Sequence, residues 1–214
     1  MVGVLIGVLI ATIVSGRQPG AGRAALAAPA PRCYHGEMVT LLTVGHGTLD
    51  RAGLANLLHG AGVRELVDIR RFPGSRRNLD VARDVLPSWL PDEGIAYRWE
   101  ERLGGRRRLP PGEDSRDPWW RVEAFRAYSA WTRTPPFREA LAELLDGAAA
   151  RTTAVMCSES LWWRCHRRVV ADVAALAHGV QVSHVMHDGQ LVAHQPVAGA
   201  RLDDAGDVVW DGPG

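Results

Sequence analysis

Two short segments of this chain combine residue types that can do chemistry. Cys157-Ser158-Glu159 and Cys165-His166-Arg167 lie close together in the sequence. A thiolate is a nucleophile and a soft metal ligand, carboxylates and imidazoles transfer protons, and guanidinium groups pair with phosphate or carboxylate. Either segment alone is a weak signal, because a cysteine in a β-branched run is by default a small buried apolar residue. The segments indicate a site only if the fold adds further polar residues to them.

Three apolar, β-branched runs predict buried strands that alternate with helices. They span Thr40–Val44, Glu65–Ile69 and Thr152–Cys157. A strand, helix, strand order implies parallel pairing with a right-handed crossover. The expected fold class is therefore α/β: a single three-layer Rossmann-like domain with a mostly parallel central sheet and a C-terminal hairpin or tail.

Further elements complete this arrangement. We expect a weak helix at 81–90, a strand at 95–99, helices at 119–131, from 135 and at 163–177, a strand at 180–185 and a hairpin arm at 190–194. Gly179 is the expected cap of the helix at 163–177. The Gly- and Asp-rich residues 197–214 are expected to form a flexible tail, which places the domain at residues 38–196.

The predicted strand ends collect the polar residues. In open α/β sheets the ligand binds at the carboxyl ends of the strands. The candidate catalytic residues are His46, Asp68, Cys157, Glu159, Cys165 and His166. The candidate substrate-binding residues are Arg70, Ser75, Arg76 and Arg167. An alternative remains for one pair, since Asp68 and Arg70 could simply bind each other.

Two arginine-containing loops and a tryptophan pair bear on ligand binding. The stretch 70–77 combines Gly, Ser and bidentate donors after a buried strand, which is typical of an anion cradle. Arg106–Arg108 is equally consistent with a flap over the site and with plain surface. Trp162 and Trp163 are expected to wall a ligand pocket, whereas Trp119, Trp120 and Trp131 are expected to pack in the core.

The composition is that of an ordinary globular domain. All 25 basic residues are arginine, and the net charge of +1 disfavours a strong whole-surface nucleic-acid binder. The 3 cysteines do not describe a disulfide framework, which favours a cytoplasmic protein.

The first 37 residues are ambiguous. An apolar run of about 13 residues lacks a preceding basic residue and is short for a membrane span. Met38 opens the first strand, so we expect translation to start there and residues 1–37 to be spurious. A real signal would instead make the protein secreted or anchored. No membrane association is expected for residues 38–214.

The motifs resemble a bacterial and archaeal family known as domain of unknown function 488. The matching segments are Thr-Val-Gly-His at 43–46, Leu-Val-Asp-Ile-Arg at 66–70, Pro-Gly-Ser-Arg-Arg at 73–77, Leu-Gly-Gly at 103–105, Met-Cys-Ser-Glu at 156–159 and Cys-His-Arg at 165–167. The resemblance implies that the ten candidate residues are motif positions, and it assigns them no activity. The chain departs from the family pattern at Gly47, where a Ser is common, and at Leu79, where an aromatic residue is common.

Three hypotheses follow for function, and the sequence leaves the cofactor and the oligomeric state unknown. The leading one is an enzyme acting on a phosphate- or carboxylate-bearing substrate, such as a nucleotide or a nucleic-acid end. Arginines would clamp the anion, Glu159 or Asp68 would be the general base, and His46 or His166 would shuttle a proton. Cys157 or Cys165 would be the nucleophile.

The two alternatives are a metal site and a non-catalytic module. Cys157, Cys165 and His166, with His46, offer ligands suited to zinc or iron. Their spacing is not that of a zinc finger, and adjacent residues on a helix point about 100° apart, so no metal ligand is assigned. A non-catalytic module would bind nucleic acid or a protein partner through its arginine loops, with salt-dependent affinity.

Overall fold

The computed structural model describes residues 33–34, 37–74, 78–112 and 114–212. The expectations for residues 1–32 lie outside this range. Two short antiparallel strands come first, β1 (Cys33–Tyr34) and β2 (Glu37–Met38). Within the described residues, no helix is both long and apolar enough to cross a membrane.

A six-stranded sheet forms the centre of the molecule, as predicted. Its strands are β3 (Thr40–Gly45), β4 (Glu65–Asp68), β5 (Ala96–Trp99), β6 (Thr153–Cys157), β7 (Gln181–Val185) and β8 (Leu191–Ala193). Their order is β5-β4-β6-β3-β7-β8, in which all neighbours are parallel except β7 and β8. The central position of β3 and β6 explains why both are mostly apolar runs, since each is covered on two faces.

Helices cover both faces and complete the three layers. They are α1 (Arg51–Gly60), α2 (Leu86–Trp89), α3 (Glu123–Thr132), α4 (Pro135–Ala150) and α5 (Arg167–His178). Alternate strand residues such as Leu41 and Leu42 enter separate cores, one shared with α4 and α5 and the other with α1 and α2. Asp50 caps α1, and Gly179 ends α5 in the left-handed conformation that favours glycine.

The C-terminal segment is not a loose tail, which corrects the expectation for residues 197–214. Strands β9 (Ala200–Leu202) and β10 (Val208–Trp210) form an antiparallel pair. Trp210 is fully buried and belongs to the core shared with α4 and α5. Burial of one large aromatic ring outweighs the turn-rich composition around it. The described part of this segment is therefore packed on the domain.

Candidate functional site

The carboxyl ends of β3, β4 and β6 open onto one cleft of about 360 Å³. Six of the predicted site residues lie in its lining: His46, Arg70, Cys157, Glu159, Cys165 and His166. The loop after β3, the loop after β4 and the segment between β6 and α5 each contribute. These loops converge because parallel strands end on the same edge of the sheet.

Cys157, Cys165 and His166 form a cluster at this cleft. Their ligand atoms all lie within 4.8 Å of one another. The Nδ1 atom of His166 lies 3.7 Å from the Cys157 Sγ and 3.5 Å from the Cys165 Sγ. The other ring nitrogen, Nε2, lies 3.2 Å from the carbonyl oxygen of Ile69. The two thiols and one ring nitrogen therefore face each other.

The backbone before α5 brings these side chains together. A single-turn 3-10 helix spans Trp162–Arg164, Cys165 is extended (φ −121°, ψ 154°), and α5 begins only at Arg167. The prediction of one helix across 163–177 is therefore wrong at its start. Because Cys165 and His166 do not lie on a helix, the argument that their side chains diverge by about 100° does not apply.

The two buried thiols differ in pKa because a hydrogen bond between them affects the two groups in opposite directions. A hydrogen bond from Cys165, together with the His166 ring, holds the pKa of the Cys157 thiol well below its ordinary value. Burial and the neighbouring Cys157 raise the pKa of Cys165 well above its ordinary value. Cys157 is therefore the more acidic thiol of the pair, and the thiolate is the reactive and metal-binding form of cysteine.

His46 and Arg70 line the cleft, and the buried carboxylate of Asp68 holds Arg70 in place. The Asp68 carboxylate is fully buried and accepts from the Arg70 backbone N, from Nε and from Nη2. Arg70 Nη1 donates to His46 Nε2 at 3.1 Å, so His46 Nδ1 carries the hydrogen that is donated to the Gly47 carbonyl oxygen. Burial and the Arg70 charge lower the pKa of His46. The alternative in which Asp68 and Arg70 bind each other is the arrangement found.

Arg167 lies below the site and does not line the cleft. Its side chain is 1% exposed, and Nη2 donates to the carbonyl oxygens of Glu159 and Ser160. Gly45 makes this approach sterically acceptable, because a Cβ atom there would lie 2.0 Å from the Glu159 oxygen. Arg167 therefore positions the loop that carries Glu159, which differs from the predicted role of direct anion binding.

Three other arginines line the cleft with unpaired charge. Arg71, Arg106 and Arg164 lie in its lining, and no carboxylate of the described residues is within salt-bridge distance of them. Arg71 Nη1 donates to the Arg106 carbonyl oxygen, which joins the two arginine loops. Glu159 is the one acidic residue of the described lining. Predicted residues Ser75 and Arg76 fall outside the described residues.

Sequence reasoning missed some of these groups and misplaced others. Arg164 was overlooked, although its position directly before Cys165 was a usable signal. Tyr128 of α3 packs edge-on against the His166 ring, with 5.1 Å between centroids, and its hydroxyl donates to Leu103. Trp162 and Trp163, expected in the pocket wall, do not line the cleft; Trp162 stacks on His184 instead.

A second polar cluster, which we call the buried chain, is a series of hydrogen-bonded side chains that do not line the cleft. It consists of Thr43, His184, His194 and Asp172, and Trp210 donates to its last member. The Asp172 carboxylate determines which ring nitrogens carry a hydrogen. Because a carboxylate accepts, His194 Nε2 donates to it, and His194 Nδ1 then accepts from His184 Nε2. His184 Nδ1 then accepts from the Thr43 hydroxyl at 2.7 Å. Burial, His194 and Arg167 lower the pKa of His184 to about 3.

Comparison with known proteins gives one family and no individual relative. The family model described as Domain of unknown function DUF488 matches residues 50–174. No curated protein and no solved structure matches the chain. The matched range contains the Cys157, Cys165 and His166 cluster and the arginine loops, but not His46.

Proposed function

Because the chain belongs to the DUF488 family, whose description assigns no activity, we propose a function from the geometry of the cleft. The protein is an enzyme that binds a phosphate-bearing small molecule among Arg71, Arg106 and Arg164. It acts on that molecule at the cluster of Cys157, Cys165 and His166. The observation that carries this proposal is the position of the cluster in an arginine-lined cleft.

The charge of the cleft supports an anionic substrate. Four arginines and one glutamate line it among the described residues. Arg70 is already committed to Asp68, His46 and Val81, which leaves it one free N–H donor. Among the described residues, the other three guanidinium groups keep most of their donors free, and their forked geometry suits phosphate oxygens.

The size of the cleft favours a small molecule. Its volume of about 360 Å³ lies within the range of roughly 300–1,000 Å³ usual for small-molecule sites. Phe72 and Phe125 supply apolar wall beside the arginines, so the substrate would carry an apolar or aromatic part as well as the anion. A nucleoside monophosphate has both.

Calorimetric titration with inorganic phosphate and with nucleoside monophosphates tests the binding step. Arg106→Ala and Arg164→Ala should each weaken binding by roughly ten- to a hundredfold, since each removes charge-assisted hydrogen bonds. The matched control is Arg138→Ala, an exposed arginine paired with Asp207 away from the cleft, which should bind like wild type. Equal affinity in all four proteins would contradict the proposal.

Phosphate release from a panel of phosphate mono- and diesters tests the catalytic step. Wild type should release phosphate or a nucleotide, and Glu159→Gln should bind the ligand but turn it over more slowly, because Glu159 is the one carboxylate in the described lining. Binding without turnover of any ester would support the non-catalytic module instead. If carboxylates bind in preference to phosphates, the proposed substrate class is wrong, although the arginines would still be the anion-binding groups.

A further inference from the structure

We infer that Cys157, Cys165 and His166 form a three-ligand site for a divalent transition metal of zinc-like preference, with the remaining coordination position facing the cleft. This inference deepens the proposed function, because it specifies what the cluster holds. It makes the two thiols ligands rather than nucleophiles. Four observations support it.

The first observation is the protonation pattern of His166. The Ile69 carbonyl oxygen can only accept a hydrogen bond, so the Nε2 atom of His166, 3.2 Å away, carries a hydrogen. In the neutral ring the lone pair is then on Nδ1, the atom that faces both sulfurs. Histidine ligands of metals usually donate their other ring N–H to a carbonyl or carboxylate group in this way.

The second observation is the spacing of the ligand atoms. Tetrahedral zinc with Zn–S of about 2.3 Å and Zn–N of about 2.0 Å places sulfur and nitrogen roughly 3.5 Å apart. The observed S···N distances are 3.7 Å for Cys157 and 3.5 Å for Cys165. The two S···N distances therefore already match those of a tetrahedral zinc site, and all three ligand atoms lie within 4.8 Å of one another.

The third observation is that a hydrogen bond joins only two of the three groups at a time. Nδ1 has one lone pair, so it can accept from only one of the two thiols. Both cysteines are buried, at 6% and 5% exposure for Cys157 and Cys165. A metal ion would engage both sulfurs and the nitrogen together, and two thiolates would balance its charge.

The fourth observation is the open side of the cluster. All three ligands line the cleft, together with Gly105, where a Cβ atom would lie 3.0 Å from His166 Nδ1. Glycine there keeps side-chain atoms away from the ligand nitrogen. Structural zinc sites are closed by four protein ligands, whereas catalytic sites have three and an open position for water or substrate. His46 is not a ligand, since both of its ring nitrogens are hydrogen bonded.

Cobalt(II) titration of the reduced full-length protein tests the inference. Wild type should bind one equivalent and show thiolate-to-cobalt charge-transfer absorption. Cys157→Ser and Cys165→Ser should each lose about half of this absorption per bound ion, and His166→Ala should keep it. All three should weaken metal affinity at least a hundredfold. Cys33→Ser, at the remaining cysteine of the chain, is the matched control and should behave like wild type.

Two results would overturn the inference. The first is that the wild-type protein binds neither cobalt nor zinc stoichiometrically. The second is that Cys157→Ser and Cys165→Ser bind cobalt as tightly as the wild-type protein does. Circular dichroism of each variant in chelator establishes that it is folded. Phosphate titration in chelator separates the two proposals: arginine-dependent binding without any metal site would overturn only the metal, and metal binding without phosphate binding would overturn only the proposed function.

Discussion

The cleft cluster and the buried chain are both histidine-containing polar groups at the centre of the sheet, yet they are built oppositely. In the buried chain every acceptor meets a donor, from Thr43 through His184 and His194 to Asp172. In the cleft cluster the two sulfurs and His166 Nδ1 lie within 4.8 Å of one another, and Nδ1 can accept a hydrogen bond from only one of the two thiols. We expect the first arrangement to stabilise the fold and the second to leave its sulfur and nitrogen atoms available to a metal ion.

The largest effect should come from breaking the buried chain at its carboxylate. Asp172 accepts from His194 Nε2 at 2.9 Å, from Val197 N at 3.2 Å and from Trp210 Nε1 at 2.8 Å. Asp172→Ala leaves three buried donors without an acceptor. We expect the free energy of unfolding to fall by about 3–5 kcal/mol, measured by urea denaturation.

An exposed aspartate provides the control for this measurement. The Asp84 side chain is 85% exposed, so Asp84→Ala should change the free energy of unfolding by less than about 0.5 kcal/mol. If Asp172→Ala lowers the free energy of unfolding no more than Asp84→Ala does, the buried chain does not stabilise the fold. Its contrast with the cleft cluster is then wrong.

The difference between the two regions also explains what sequence reasoning reached. Cys157, His166 and Arg70 were found because each lies at the end of a predicted strand or near the start of a predicted helix, and strand ends meet at one edge. The buried chain was missed because Thr43, His184 and Asp172 come from elements that are distant in the sequence, and no sequence pattern links the three residues. Only the packing of α5 and β7 against β3 joins them.

The C-terminal hairpin was mispredicted for a related reason. A three-residue strand such as Val208–Trp210 is too short for period-2 alternation to be read, and its Gly- and Asp-rich flanks predict a loop. Its burial is decided by a tertiary contact, the bond from Trp210 to Asp172. The start of α5 was mispredicted because the extended conformation of Cys165 has no sequence signature.

A smaller effect should follow from pH, through His184. This ring faces His194, Arg167, Thr43 and Trp162, and its pKa is about 3 in the folded protein against 6.5 ordinarily. The unfolded chain therefore binds an extra proton between these values, so stability is full above about pH 6.5 and falls as the pH drops. Between pH 7 and pH 5 we expect a loss of about 2 kcal/mol, measured by urea denaturation at each pH.

Two histidine variants isolate this contribution. His184→Gln should remove most of the decline between pH 7 and pH 5, whatever its stability at pH 7. His59→Gln, at an exposed histidine paired with Glu93, should retain it. A decline of the same size in wild type and His184→Gln would show that other groups cause it and that the buried chain does not exclude protons.

The smallest effect should come from the cleft cluster. In protein kept in chelator, Cys165→Ala removes a sulfur atom but leaves the bond from His166 Nε2 to Ile69 and creates no unpaired buried donor. We expect a cost of about 1 kcal/mol. Thr43→Val, which keeps the side-chain volume, takes from the buried chain the donor to His184 Nδ1 and the acceptor of Arg167 Nη1. Its cost should be larger, at about 2 kcal/mol. If Cys165→Ala costs more than Thr43→Val, Cys165 itself stabilises the fold. The contrast between a stabilising buried chain and a cleft cluster that the fold does not need would then be wrong.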